Sequence, residues 1–235
     1  MIRDGDSLAG ASSDMVVRPG RSTIKCYIDW IHQTHMTIST QPSARENPDH
    51  CDYASVYVVE TVAWLERVVI GLNLCPFAKA VHVKNQIRYV VSAAMAQDAL
   101  CNTLVTELQF LAAADSAEID TTLLIHPHLL TQFSDYNDFL VVADRARDSL
   151  DLTGVIQITS FHPQYQFANT AADDISNCTN RSPYPMLHLL RETSIDKAVA
   201  AFPDASTIFE RNIETMNRLG ASGWNNLTCK TPADR

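Results

Sequence analysis

The chain has 235 residues, of which 46% are hydrophobic and 19% are charged, a composition typical of a globular protein with one good core. Its apolar runs are all shorter than the roughly 20 residues that a membrane-spanning helix needs, so we expect no membrane partner. The formal net charge of -9 is opposite in sign to the basic surfaces that bind nucleic acid, so we expect no nucleic-acid partner either.

The cysteines are scattered along the chain, and no two of them form a CxxC pair. A secreted disulfide framework would show a denser and more regular spacing. The first twenty residues mix charges and contain no apolar segment typical of a signal peptide. We therefore predict reduced thiols and a cytoplasmic location.

The first 53 residues lack a sustained hydrophobic period, and we predict a disordered or weakly ordered extension with a short helix around Trp30. Helical spacing begins near Ala54 and continues to Ile70, where Gly71 is placed to end the helix. Residues 54–220 should form one domain. Residues 221–235 should form a loose tail.

Three short apolar runs alternate with helical patterns after this first helix. The runs are residues 87–91, 121–125 and 155–159, and the helices between them are predicted over residues 96–113 and 136–150. Strands that alternate with helices at this spacing are typical of parallel crossover connections. We predict an α/β fold, a single layered domain with a short, mainly parallel sheet flanked by helices.

Two of these runs end in the same dipeptide, His126-Pro127 and His162-Pro163. Ligands of open parallel sheets bind beyond the carboxyl ends of the strands, so the two histidines could line one site there. Alternatively, each dipeptide only terminates a strand. His126, His128, His162 and His188 could reach the ligand count of a zinc site, but no carboxylate has ligand spacing, and we predict no metal.

A polar stretch follows the third run and ends in a predicted helix that begins at Pro183. On a helix, Tyr184, His188 and Arg191 would share one face, with Arg181 beside the helix N-terminus. Backbone N–H groups and arginines together bind phosphate or carboxylate. The alternative is that the arginines pair with nearby acidic residues and only hold the loop. Two further polar residues of this stretch complete the predicted ligand-binding set, namely Asn180 and Tyr165.

Cys75 precedes Pro76, in a place where a helix N-terminus would stabilise a thiolate. With a histidine nearby, the thiolate would be a nucleophile. A small buried residue among Leu72, Leu74 and Phe77 is the equally open alternative.

Several of these segments resemble one family, the bacterial domain of unknown function DUF1415. The resemblance covers about residues 54–220 and is carried by five motifs: GLNLCPFA (71–78), TLLIHP (122–127), DYNDFL (135–140), FHPQYQF (161–167) and TNRSPYPMLHLLRE (179–192). It implies an intact member of the family. It implies no particular activity, so the functional hypothesis depends on the residues.

Our first hypothesis is an enzyme that acts on a small anionic substrate held by Arg181 and Arg191. His162 or His188 would transfer protons, since imidazole titrates near neutral pH, and Cys75 would be the nucleophile. The second is a non-catalytic module that binds a nucleotide, a phosphorylated metabolite or a peptide carboxylate. The third is a purely structural polar loop.

Overall fold

The computed structural model of the protein describes residues 51–201 and 207–228. The predicted extension lies outside the described residues as far as residue 50, as does the predicted short helix around Trp30. The elements in chain order are α1 (Cys51–Trp64) with a π-helical continuation (Leu65–Ile70), α2 (Ala78–Val83), β1 (Ile87–Val91), α3 (Gln97–Ala113), β2 (Thr121–Ile125), α4 (Phe133–Ser149), β3 (Ile156–Phe161), a 3-10 segment (Ile175–Asn180), β4 (Met186–Arg191), α5 (Glu192–Ala201) and α6 (Ile208–Thr228).

The predicted α/β class is confirmed, but the prediction of a mainly parallel sheet is wrong. The four strands have the order β1-β2-β4-β3, and only the pair β1–β2 is parallel. Strand β4 lies between β2 and β3 and is antiparallel to both. The sheet is therefore mixed, and β2 and β3 run in the same direction on the two sides of β4.

The segment predicted as a helix from Pro183 is instead strand β4. An apolar run as short as Met186–Arg191 fits a helix or a buried strand equally well, and only long-range partners decide between them. Here β2 and β3 both supply backbone partners, with His188 opposite Leu123 on one side and Thr159 on the other. Arg181 therefore does not stand at a helix N-terminus.

The strands alternate their side chains between two hydrophobic cores. Leu187 and Leu189 of β4 belong to the core beneath α3 and α4, which also contains Leu104 and Phe139. Met186 belongs to the second core, which is formed with the π-helical segment and α6. The sheet is thus covered by helices on both faces.

Two glycines shape the helices: Gly71 follows the π-helical segment, and Gly220 lies inside α6. A Cβ atom on Gly71 would lie 2.3 Å from the carbonyl oxygen of Arg67, so the backbone fold at that end of the helix requires glycine. Gly220 has φ 65°, which kinks α6 without ending it. The helix continues to Thr228, within the segment for which a loose tail was predicted, because Trp224 and Leu227 pack on the second core.

Candidate functional site

The carboxyl ends of β2 and β3 bring His126 and His162 to the same edge of the sheet. The ring of Tyr136, near the start of α4, lies between them, with centroid distances of 5.8 Å to His126 and 5.0 Å to His162. The Tyr136 hydroxyl donates to the carbonyl oxygen of Met186 and accepts from the N–H of Phe161. This tyrosine therefore fixes α4 against the sheet edge that carries both histidines.

Both ring nitrogens of His162 are occupied by backbone groups. The N–H of Gln164 donates to Nδ1 at 3.0 Å, so the ring proton is on Nε2, which donates to the carbonyl oxygen of Leu130 at 3.1 Å. Burial lowers the pKa of His162 below its usual range. His162 is therefore a neutral imidazole that links the loops after β2 and β3 through two hydrogen bonds to the backbone. To transfer a proton, His162 would have to break one of these two hydrogen bonds.

His126 differs because only one of its ring nitrogens is engaged. Nδ1 lies 3.0 Å from the carbonyl oxygen of Leu129, which can only accept, so Nδ1 carries the proton. Nε2 is buried and has no hydrogen-bond partner within the described residues. Burial, together with the charge His162 would carry, lowers the pKa of His126 to about 4. At neutral pH this nitrogen therefore holds an unused lone pair.

Next to the histidines, a cleft of about 380 Å³ opens between the start of α4 and the loop after β3. The Phe133 ring forms one wall and lies 5.4 Å from His162 and 5.2 Å from Tyr165, centroid to centroid. The remaining lining residues are Pro163, Gln164, Gln166, Ala172 and Arg181. The lining thus combines an aromatic ring, two amides and one cationic group.

The guanidinium of Arg181 is positioned in this cleft by backbone carbonyls. Its Nε donates to the carbonyl oxygen of Tyr165 at 3.3 Å, and one terminal nitrogen donates to that of Ala172 at 2.7 Å. The other terminal nitrogen lies 3.8 Å from the Cys178 sulfur. Ion pairs of the described residues do not include Arg181. Its positive charge is therefore oriented but not neutralised.

Asp174, an acidic residue of the same loop, forms no ion pair with Arg181 among the described residues. Asp174 accepts a hydrogen bond from the N–H of Ser176 and thereby caps the 3-10 segment, and this bond lowers the pKa of its carboxyl group. The buried amide of Asn177 organises the same loop through hydrogen bonds to Phe167, Thr170 and Ala171. Asn180 lies beside the cleft and donates to the carbonyl oxygen of Ser160.

The other predicted site residues do not join Arg181. Arg191 lies at the far end of β4, where it donates to the carbonyl oxygens of Ala114 at 2.6 Å and Ile119 at 3.2 Å. His188 lies in the middle of the sheet and donates to the Thr121 hydroxyl, because that hydroxyl donates in turn to the carbonyl oxygen of Leu189. The Tyr184 hydroxyl donates to Glu60. The structure thus separates the residues that a helix would have aligned.

Of the six residues that line the cleft, five were absent from the predicted set, and three of these, Phe133, Gln164 and Gln166, have aromatic or amide side chains that could contact a ligand. Both glutamines lie within the motif FHPQYQF, in which His162 and Tyr165 were predicted as site residues. Alternation in an extended segment could have drawn attention to them. Phe133 had no local signal, since its position depends on how α4 begins.

Cys75 packs against the second core. Burial raises the pKa of its thiol more than the N–H groups of Phe77 and Ala78 lower it. We therefore predict that iodoacetamide alkylates Cys75 more slowly than free cysteine at neutral pH, as followed by peptide mapping against time. Alkylation faster than that of free cysteine would restore Cys75 as a nucleophile.

The described residues were searched for groups that could bind a metal ion and for helices that could cross a membrane. Within residues 51–201 and 207–228, no three His, Cys, Asp or Glu side chains are grouped so that they could hold a metal ion. In the same part of the chain, no helix has the length and apolarity needed to cross a membrane.

The fold and the cleft together define an α/β domain with a mixed four-stranded sheet and a polar cleft at its carboxyl edge. The chain belongs to the family described as protein of unknown function (DUF1415), whose model matches residues 57–226. No match was found among curated proteins or among solved structures.

Proposed function

We propose that the protein binds a small molecule bearing a phosphate or carboxylate group in the cleft beside Arg181. The observation that carries this proposal is the half-buried guanidinium, which lines a cavity and has no acidic partner among the described residues. Keeping a cation out of water is costly unless an anion compensates it. An anionic ligand would provide that compensation.

The hydrogen-bonding capacity of Arg181 supports the same assignment. A guanidinium has five N–H donors, and the described bonds of Arg181 use three of them. Two donors held in a fixed plane match the two oxygens of a carboxylate or phosphate. The backbone carbonyls that hold Arg181 thus prepare it to bind an oxyanion with little loss of conformational entropy.

The other walls of the cleft suit the remainder of such a ligand. Phe133 offers an aromatic surface, and Gln164 offers an exposed amide that can donate and accept. Gln166 uses its amide nitrogen on the carbonyl oxygen of Thr170, which leaves its oxygen as an acceptor. A cleft of about 380 Å³ has the size of a metabolite site.

Catalysis at this cleft is the second candidate, and His126 is the observation that favours it. Its Nε2 is unprotonated at neutral pH and has no partner among the described residues, as a general base requires. The nitrogen is buried, so the base would act only after the loop of residues 126–133 moved. His126→Gln should leave anion binding intact and abolish turnover, and unchanged turnover would exclude this role.

We also propose a reducing, cytoplasmic setting for the protein. Three cysteines have side chains that the structure describes, and all three are free thiols: Cys75, Cys101 and Cys178. Free thiols persist in the cytoplasm, whereas secreted proteins usually oxidise them.

We predict that phenyl phosphate raises the melting temperature of the protein by about 5 °C at about 100 times its Kd. Arg181→Met should abolish this shift. Arg181→Lys should retain only part of it, because lysine keeps the charge but loses the planar pair of donors. The measurement is differential scanning fluorimetry with inorganic phosphate, phenyl phosphate and benzoate.

The control for this experiment is Arg145→Met, which removes an exposed arginine of α4 away from the cleft. It should leave the ligand-induced shift unchanged. Equal shifts in Arg181→Met and in the unaltered protein would overturn the proposal. So would the absence of any shift with all three anions.

A further inference from the structure

Strand β1 forms one edge of the sheet, and no further strand of the described residues lies on its outer side. The carbonyl oxygen of Gln86 and the N–H of Ser92 are bonded to β2. Because the backbone groups of a strand point alternately to its two sides, the odd-numbered residues between them face away from β2. These residues are Ile87, Tyr89 and Val91. In the described part of the chain no hydrogen bond uses their outward N–H and C=O groups, so this edge offers them to another strand.

The opposite edge of the sheet, at β3, is covered where the strand ends. The N–H of Phe161 donates to the Tyr136 hydroxyl, and the Asn180 side chain donates to the carbonyl oxygen of Ser160. The N–H of His162 donates to the carbonyl oxygen of Asn180. The loop that carries Asn180 thus satisfies backbone groups of β3, and within residues 51–201 and 207–228 no such segment satisfies those of β1.

Strand β1 also lacks the residues that usually prevent an edge strand from pairing, such as proline or an unpaired charge. Its one charged residue is Arg88, which donates to the Glu107 carboxylate at 2.7 Å and 3.1 Å. The same guanidinium lies over the Phe110 ring, 4.2 Å from the centroid. The charge is therefore neutralised against α3. The other residues of β1 are β-branched or aromatic, which favours strand pairing.

Exposed apolar side chains flank this edge at both of its ends. Val83 is 69% exposed and lies four residues before β1, and Met95 is 74% exposed and lies four residues after it. They are the most exposed large hydrophobic side chains of the described residues. Both positions are equally far from Tyr89 in the sequence. An antiparallel strand of the same sequence would therefore bring its own Met95 to the end of the edge that carries Val83.

We propose that β1 pairs with β1 of a second copy of this chain, antiparallel and centred on Tyr89, to form one continuous sheet across a twofold axis. In this register Ile87 lies opposite Val91 of the second copy, and each pair of outward-facing residues exchanges two hydrogen bonds. Arg88 lies opposite Val90. A register centred on Arg88 would instead place two arginines opposite each other, which is unfavourable.

Charged residues outside the strand complement the same arrangement. Lys84 follows Val83, and Asp98 lies in the first turn of α3, three residues after Met95. Both are exposed, and the ion pairs of the described residues include neither. Antiparallel pairing brings Lys84 of each copy to the end at which the other copy carries Asp98. These opposite charges, together with the symmetric placement of Val83 and Met95, favour a second copy over an unrelated strand.

The test is sedimentation velocity of the full chain at concentrations from about 1 to 100 μM, where we expect a monomer–dimer equilibrium. Val91→Pro should raise the Kd of the dimer at least about thirtyfold, because proline removes an N–H that faces the second copy and leaves the bonds to β2 intact. Val91→Ala keeps this N–H and is the matched control. It should change the Kd by less than about threefold.

A charge exchange at the two ends of the strand tests the register. Met95→Glu should raise the Kd about tenfold, because its carboxylate would face an apolar side chain, and adding Val83→Lys should recover most of the affinity. Val142→Glu, at an exposed valine of α4, is the control and should not change the Kd.

A chain that remains monomeric at all these concentrations would overturn the proposal. A dimer with the same Kd in Val91→Pro and Val91→Ala would also overturn it, as would a failure of Val83→Lys to recover the affinity lost in Met95→Glu. Circular dichroism verifies that Val91→Pro is folded. If Val91→Pro does not fold, the charge exchange decides the outcome alone.

Discussion

Replacing Arg147 by methionine should lower the free energy of unfolding by about 3 kcal/mol, the scale expected when one partner of a buried ion pair is removed. Arg147 is 2% exposed although it is charged. Its Nε and one terminal nitrogen donate to the same oxygen of Asp148, at 3.1 Å and 2.7 Å. The other terminal nitrogen lies 3.4 Å from Asp144. Methionine would fill the space of the side chain but would remove the cation that contacts Asp144 and Asp148.

The position of Arg147 explains why the loss should affect the whole domain. The Asp148 oxygen that binds Arg147 also accepts from the Thr153 hydroxyl, and the Arg147 carbonyl oxygen accepts from the N–H of Leu152. These bonds close the turn that leads from α4 into β3. Urea unfolding measures the effect, with Arg145→Met as the matched variant on the exposed face of α4. A loss in Arg147→Met no larger than in Arg145→Met would contradict the prediction.

Acid should destabilise the protein between about pH 6.5 and pH 4, because buried histidines must remain neutral in the folded state. Burial lowers the pKa of both His126 and His188 to about 4, and it lowers the pKa of His162 as well. In this range the unfolded chain binds protons that the folded chain does not. The contribution of these histidines to the free energy of unfolding is therefore complete above pH 6.5 and decreases as the pH falls. For His126 alone the loss amounts to about 3 kcal/mol.

Asp144 acts in the opposite direction in part of the same range. Burial raises the pKa of its carboxyl group to about 6, so its contribution to stability increases as the pH falls toward 4. The histidine effect should still prevail, since three histidines oppose one carboxyl group. Urea unfolding at several pH values measures the slope. His126→Gln should make the slope shallower than in the unaltered protein. If the free energy of unfolding depended on pH equally steeply in His126→Gln and in the unaltered protein, His126 would not have the lowered pKa described above.

Local patterns in the sequence predicted those parts of the fold that local interactions determine. The apolar faces of α3 and α4 and the three runs that became β1, β2 and β3 are visible within windows of a few residues. Strand β4 was missed because its identity depends on partners distant in the sequence, such as Leu124 of β2 opposite Leu187 and Phe161 of β3 opposite Met186. Because β4 is antiparallel to both of its neighbours, missing this one strand also led to the wrong prediction of a mainly parallel sheet.

The site residues, too, were predicted correctly where their position depends on local sequence patterns and missed where it depends on long-range contacts. His126 and His162 were brought together as their positions after two co-directional strands predicted. Arg191 and His188 were grouped with Arg181 only because a helix would have aligned them. As a strand, β4 carries Arg191 to the opposite end of the sheet, where it binds the loop after α3. Arg181 remains at the cleft because carbonyl oxygens of a folded loop hold it there, and sequence spacing does not reveal such contacts.

The most direct test of the Arg181 cleft is nuclear magnetic resonance of the arginine side-chain Nε–H groups during titration with inorganic phosphate. The Arg181 resonance, assigned by its absence in Arg181→Lys, should shift progressively and saturate. The Arg191 resonance should stay in place, because its guanidinium lies at the far end of β4 on the carbonyl oxygens of Ala114 and Ile119. A saturating shift of Arg191 with Arg181 unmoved, or no shift of Arg181 at any phosphate concentration, would contradict the assignment of this cleft as the anion site.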